Sequence, residues 1–132
     1  MQELYNYAAK LDRVIDGDTV VLRVDLGFKV EITVTVRLAG IDTPERGHPG
    51  FTEAASRLLG LLTDHSPDQK QWLLVKTEKD LRGTDKRGKY GRYLAWIWCA
   101  DASVDSPLER SFSGSVNWIL IEEGLAKPYA KY

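Results

Sequence analysis

A single cysteine in 132 residues, Cys99, excludes any disulfide within the chain. It lies in the apolar run WIWCA, where a thiol is expected to be buried and inert. No stretch approaches the roughly 20 apolar residues of a membrane span, and the opening MQELYNYAAKLDR lacks the apolar core of a secretion signal. The expectation is a soluble monomer with no membrane partner, either cytoplasmic or the mature form of a secreted protein. Basic charge is not in excess: 18 Lys and Arg stand against 19 Asp and Glu. Global charge therefore does nothing to draw in a polyanion, and any affinity for one must come from a local arrangement. Repeats, linkers and low-complexity tracts are absent too. The chain reads as one domain over residues 1–132, long enough to bury about two-thirds of the surface its unfolded form exposes.

What is present is strand periodicity. Tyr5 to Ile15 and Thr19 to Leu26 read as strands around a tight Asp16-Gly17 turn. From Phe28 to Leu38 the alternation is strict: Phe28, Val30, Ile32, Val34, Val36 and Leu38 share the core face, and Arg37 points the other way. FTEAASRLLGLLTDH has helical spacing, with Ala55, Leu58, Leu59 and Leu62 as its stripe and Thr52 as a candidate cap. Two more strands follow, in QWLLVKTEKD and GRYLAWIWCA, and SVNWILIEEG forms a short helix capped by Ser115 and ended by Gly124. Three strands, a helix, two strands and a helix match a five-stranded OB-fold Greek-key barrel, mainly β with helices.

Just where the long alternating run stops, I41-D42-T43-P44-E45 sets two carboxylates three residues apart. Asp followed by Glu at that spacing resembles a capping box, and Pro suits a first helical turn. RGHPG comes next, however, and its two glycines and second proline would end such a helix within a turn. Pro44 fixes its own φ and holds Thr43 extended, so Asp42 and Glu45 sit on a stiff turn at a strand end. Carboxylates with free carbonyls suit a hard cation such as Ca²⁺, which takes about six to eight oxygens. One turn cannot supply that many, and V14-I15-D16-G17-D18-T19-V20 is the candidate second segment. A hairpin turn accounts for Asp16 and Gly17 without further role, but it leaves Asp18 unexplained.

Arg37, four residues before Ile41, has a plain reading as a solvated strand residue. Its face and position also bring a guanidinium near the carboxylates. From Lys79 to Arg92 the chain carries six basic residues against Asp80 and Asp85, with Tyr90 among them. This local cluster is suited to following a phosphate backbone and stacking a base. His48 and His65 have no partner the pattern reveals.

In order along the chain, V-I-D-G-D-T-V, V-R-L-A-G-I-D-T-P-E, K-Y-G-R-Y-L-A-W and E-E-G-L-A-K resemble the staphylococcal nuclease (thermonuclease) family, from Leu11 to Tyr129. The resemblance implies an OB-fold enzyme that uses Ca²⁺ to hydrolyse DNA and RNA, prefers single strands and leaves 3′-phosphate ends. It makes Asp18 and Asp42 carboxylate ligands of Ca²⁺ and the Thr43 carbonyl a third. Glu45 becomes the general base, with Arg37 and Arg92 on the scissile phosphate. Lys89, Tyr90 and Tyr129 become substrate contacts, although Tyr129, like Tyr132, has an equal claim to simply covering the barrel. RGHPGF is shorter than the family's loop and lacks its lysines, TDKRGKYGR is longer than the common T-D-K-Y-G-R, and the family's last helix is not reached after KPYAKY. A non-catalytic OB module binding single-stranded nucleic acid or a protein, and a purely structural ion site, remain as alternatives.

Overall fold

The computed structural model describes residues 5–63, 72–78, 92–99 and 114–129. Strands β1 (Asn6–Asp16), β2 (Thr19–Gly27) and β3 (Val30–Leu38) form an antiparallel meander. β4 (Ile41–Asp42) follows, then helix α1 (Phe51–Leu62), β5 (Leu73–Thr77), β6 (Tyr93–Cys99), helix α2 (Val116–Glu122) and β7 (Lys127–Pro128). The barrel closes in the order β1-β2-β3-β6-β5, with α1 between its third and fourth strands in chain order, as an OB-type barrel requires. The closing contact is short and parallel: Val36, Arg37 and Leu38 pair with Tyr93, Leu94 and Ala95. β4 and β7 form a separate two-stranded sheet, too brief to show any period in the sequence.

Several local expectations need correction. β2 and β3 turn at Phe28-Lys29, with Gly27 paired to Val30, so Phe28 is a turn residue and not the first of a strand. Both turn residues have left-handed φ, 54° and 63°, the type I′ geometry that suits the strand twist and normally takes Asn-Gly. Phe28 is wholly exposed, and Val30 and Ile32 are also open to solvent. Periodicity identified the right face of β3, but β6 pairs with only its last three residues, and Val30 and Ile32 lie beyond that pairing.

α1 starts after Gly50, whose φ of 92° ends the preceding loop, and has no side-chain cap; Thr52 is not its cap. Its buried stripe is Ala54, Leu58 and Leu62, with Leu59 exposed, because the helix lies across β1 and α2 and only that register turns four-residue spacing inward. In α2 the Ser115 hydroxyl accepts from Trp118 N–H, and Gly124, at φ 76°, lets the chain leave the helix as expected. The barrel core is aliphatic, built on Leu11, Leu22, Leu38, Leu73 and Ile97, with Leu58, Leu62 and Leu120 packed onto it from the helices. Each such side chain contributes about 1.5–3 kcal/mol by leaving water.

A polar side chain of α2 also lies inside this apolar mass. Asn117 is fully buried; its amide donates to Ala39 O (2.8 Å) and Ala95 O (3.1 Å) and its oxygen accepts from Ile97 N–H (3.1 Å). It ties α2 to both sides of the barrel's closing contact.

Candidate active site

The β1–β2 turn is Gly17-Asp18, since Asp16 pairs with Thr19. Gly17 does not have a left-handed φ. It is required for space: a Cβ there would stand 2.7 Å from Ala54 Cβ and 2.9 Å from Thr43 Oγ1. The turn thus presses against α1 and against the start of the 43–45 segment. Asp18 is buried as a result, with Oδ2 accepting from Thr43 N–H (3.1 Å) and Oδ1 from the Thr19 hydroxyl (3.1 Å). Leu38 N–H donates to Asp18 O (2.8 Å), fixing β3 against the same residue.

Arg37 pairs with Thr19 in the β2–β3 register and therefore lies alongside Asp18. Its Nη2 is 3.3 Å from Asp18 Oδ2 and 2.9 Å from Asp42 Oδ1, and it donates to Ile41 O at 3.3 Å. The Arg37 side chain is only 12% exposed, against 51% for that of Asp42. Removing either member of the Asp18–Arg37 pair would leave a buried charge without its partner, a change that costs about 3–5 kcal/mol in such pairs. Arg92 Nη1 donates to the Thr19 hydroxyl at 3.2 Å, so Thr19 links the second arginine to Asp18. Tyr129 arrives through the β4–β7 pairing, its N–H donating to Gly40 O at 2.8 Å, and its ring lies under Arg37 with Cζ 5.5 Å from the centroid.

These side chains line one cleft of about 610 Å³, with Glu45 exposed at its edge. No described residue pairs with the Glu45 carboxylate, in contrast to Asp18 and Asp42. The loop that carries it is two successive turns: His48 N–H bonds Glu45 O (3.0 Å) and Phe51 N–H bonds His48 O (3.2 Å). Gly47 and Gly50, at φ 88° and 92°, fill the third positions of type II turns with Arg46 and Pro49 before them. A capping box therefore has no helix to cap, as RGHPG indicated.

The acceptors gathered in this corner are all oxygen, the carboxylates of Asp18 and Asp42 on either side of Arg37. Thr43 Oγ1 is buried with no hydrogen-bond partner, an acceptor left over in the same corner. No group of three or more His, Cys, Asp and Glu residues converges among the described residues. The set suits a hard cation that completes its shell with water or phosphate oxygens, and not a zinc-type site. The Arg37 guanidinium stands between the two carboxylates and pairs with both.

Sequence reasoning therefore anticipated seven residues that come together: Asp18, Arg37, Asp42, Thr43, Glu45, Arg92 and Tyr129. Lys89, Tyr90, the other loop basic residues from Lys79 to Arg87, His65 and Tyr132 lie outside the described residues. Asp16, Thr19 and Arg46 were passed over. Asp16 lines the cleft from the end of β1, and its two-residue spacing from Asp18 was the available signal.

Comparison with known proteins gives one consistent result. The family model for staphylococcal nuclease homologues matches residues 35–132. The chain is 30% identical over 127 residues to a micrococcal nuclease of Shigella flexneri, covering 96% of this chain and 61% of that protein. It is 36% identical over 103 residues to a thermonuclease of Staphylococcus intermedius, covering 74% of this chain and 52% of that protein. The chain thus spans between about half and three-fifths of the length of these curated relatives.

Proposed function

Because the chain belongs to the staphylococcal nuclease homologue family, we propose that it is a Ca²⁺-dependent nuclease hydrolysing phosphodiesters of DNA and RNA, single strands preferentially, to 3′-phosphate ends. The observation that carries this reading is the convergence of the buried Asp18, the mostly buried Arg37 and the exposed Asp42 with Glu45, a carboxylate that no described residue pairs, on one cleft. A phosphodiester is an anion that repels hydroxide. Hydrolysis needs positive charge around phosphorus and a base beside the attacking water.

Glu45, with no competing partner among the described residues, takes a proton from water, and the water oxygen forms the new bond to phosphorus as the bond to the 5′ oxygen breaks. Arg37, beside Asp18, and Arg92, on the Thr19 hydroxyl, bind the equatorial oxygens as charge builds on them. Arg92 also steadies the departing 5′ oxygen, which ends with a proton from solvent. Asp18, Asp42 and the Thr43 carbonyl would hold Ca²⁺, which when bound offsets the carboxylate charge and polarises the phosphoryl group. A positioned base is worth about 10²–10⁴-fold and an arginine on transition-state charge about 10³–10⁵-fold in related phosphoryl chemistry, and such effects do not multiply freely.

The test is incubation with heat-denatured DNA in Ca²⁺ or in chelator. Ca²⁺-dependent fragments ending in 3′-phosphate support the reading. No cleavage from neutral to alkaline pH overturns it, and binding of the strand without cleavage would instead favour the non-catalytic module.

A further inference from the structure

Arg46 follows directly on Glu45, and its role is not absorbed by the chemistry above. It lines the same cleft as Asp18, Arg37 and Glu45. Arg37 is neutralised by two carboxylates, but Arg46 forms no ion pair with any described residue. Its guanidinium lies over the Phe51 ring, with Cζ 5.0 Å from the centroid. The backbone beneath it is constrained. Arg46 is the second residue of a closed turn, the next turn follows at once, and Gly50 lies so near Pro44 that a Cβ would stand 3.1 Å from Pro44 Cγ. An arginine stacked on an aromatic face keeps its fork of N–H donors free at the edge, and the stack limits where that fork can point.

We propose that Arg46 is a second phosphate-binding position of the cleft, one that grips a non-scissile phosphate of the substrate strand. It forms a charge-assisted, two-pronged contact of the kind guanidinium makes with phosphate. Because Arg46 and Glu45 are successive residues on one rigid turn, a phosphate on the first fixes the strand relative to the base. The site thereby favours a polynucleotide over an isolated phosphodiester. The balanced global charge makes this local cation more important, since little general attraction supplements it. This inference rests on the nuclease reading and adds to it a preference for substrates carrying more than one phosphate.

The test compares wild type, Arg46→Gln and Arg46→Lys on a single-stranded deoxyoctanucleotide and on bis(p-nitrophenyl) phosphate, which has one phosphate only. Arg46→Gln is expected to raise KM for the octanucleotide roughly three- to tenfold with kcat nearly unchanged. The slope of log affinity against log salt should fall by about one charge. Cleavage of the single-phosphate ester should be unaffected, and Arg46→Lys should restore the salt slope but only part of KM. Equal KM and salt slope in wild type and Arg46→Gln overturn the proposal while leaving the nuclease reading intact. An equal loss on both substrates also overturns it, because it would place Arg46 at the scissile phosphate. A wild type inactive on both substrates overturns the nuclease reading itself.

Discussion

Gly17→Ala is the substitution that best tests whether barrel packing and site geometry are one construction. Gly17 lies outside the left-handed region, so alanine is compatible with its backbone and the whole cost is steric. The added Cβ would meet Ala54 Cβ at 2.7 Å, Thr43 Oγ1 at 2.9 Å and Thr43 Cβ at 3.1 Å. None of these atoms is the end of a flexible chain, so the turn itself must move. Overpacking of this kind costs about 1–3 kcal/mol, which at this length lowers Tm by roughly 4–12 °C. The same movement pulls Asp18 away from Thr43 N–H, now 3.1 Å distant, and a misplacement of about 1 Å at a reacting centre can lower turnover about 10²-fold. Urea unfolding in chelator measures the first effect and cleavage of denatured DNA the second. Adding Ala54→Gly removes the nearest clash, so the double variant should be more stable than the sum of the single losses by at least about 0.5 kcal/mol. A Gly17→Ala protein within about 0.5 kcal/mol of wild type, with additive behaviour in the double variant, would refute the close-packing argument.

Glu45→Gln should lower turnover at least about 10²-fold and leave Tm nearly unchanged, since the side chain is exposed and no described residue pairs with it; near-normal kcat would exclude it as the base. Asn117→Ala orphans Ile97 N–H and Ala39 O in the core and should cost about 2–5 kcal/mol by urea unfolding. A loss below about 1 kcal/mol would show that water replaces the amide. The bidentate Arg57–Glu123 pair joins α1 to the end of α2 at 2.7 and 2.9 Å, and its hydrogen bonds hold Glu123 below its ordinary value of 4.5. A carboxylate lowered on folding contributes stability above its unfolded value and loses it as pH falls through the folded one. Both side chains are over a third exposed, so Arg57→Gln should cost only about 0.3–1 kcal/mol at pH 7 in low salt, and nothing near pH 2. An undiminished difference at pH 2 would assign the effect to packing.

The faces of the strands were legible because a period of two survives any tertiary context, and the RGHPG loop because glycine and proline restrict the backbone directly. The extent of burial was not: nothing in Phe28–Leu38 says that only its last residues meet β6. α1 shows the same limit, since adjacent Leu58 and Leu59 are equivalent until α1 packs on β1 and α2 and buries Ala54 and Leu58. At the site, Asp42, Thr43 and Glu45 announced themselves as an unusual cluster on one turn. Asp18 became intelligible only through strand register, with Thr19 opposite Arg37. Asn117 resembles any polar residue of a short helix, and the β4–β7 pairing that delivers Tyr129 is two residues long. Arg46 looked like one more loop arginine until Phe51 was found beneath it.

The three-residue seam between β3 and β6 has a consequence in time. Arg37 is part of that seam, and Arg92 immediately precedes it. Asp18, Arg37, Asp42 and Glu45 all leave the ribosome before the strand that closes the barrel around them, and before the Lys127–Tyr129 stretch that pairs beside Asp42. Hydrolytic capacity on the proposed reading does not grow strand by strand as the chain lengthens. It requires β6 and the Lys127–Tyr129 stretch, the last parts of the site to be synthesised, to be in place.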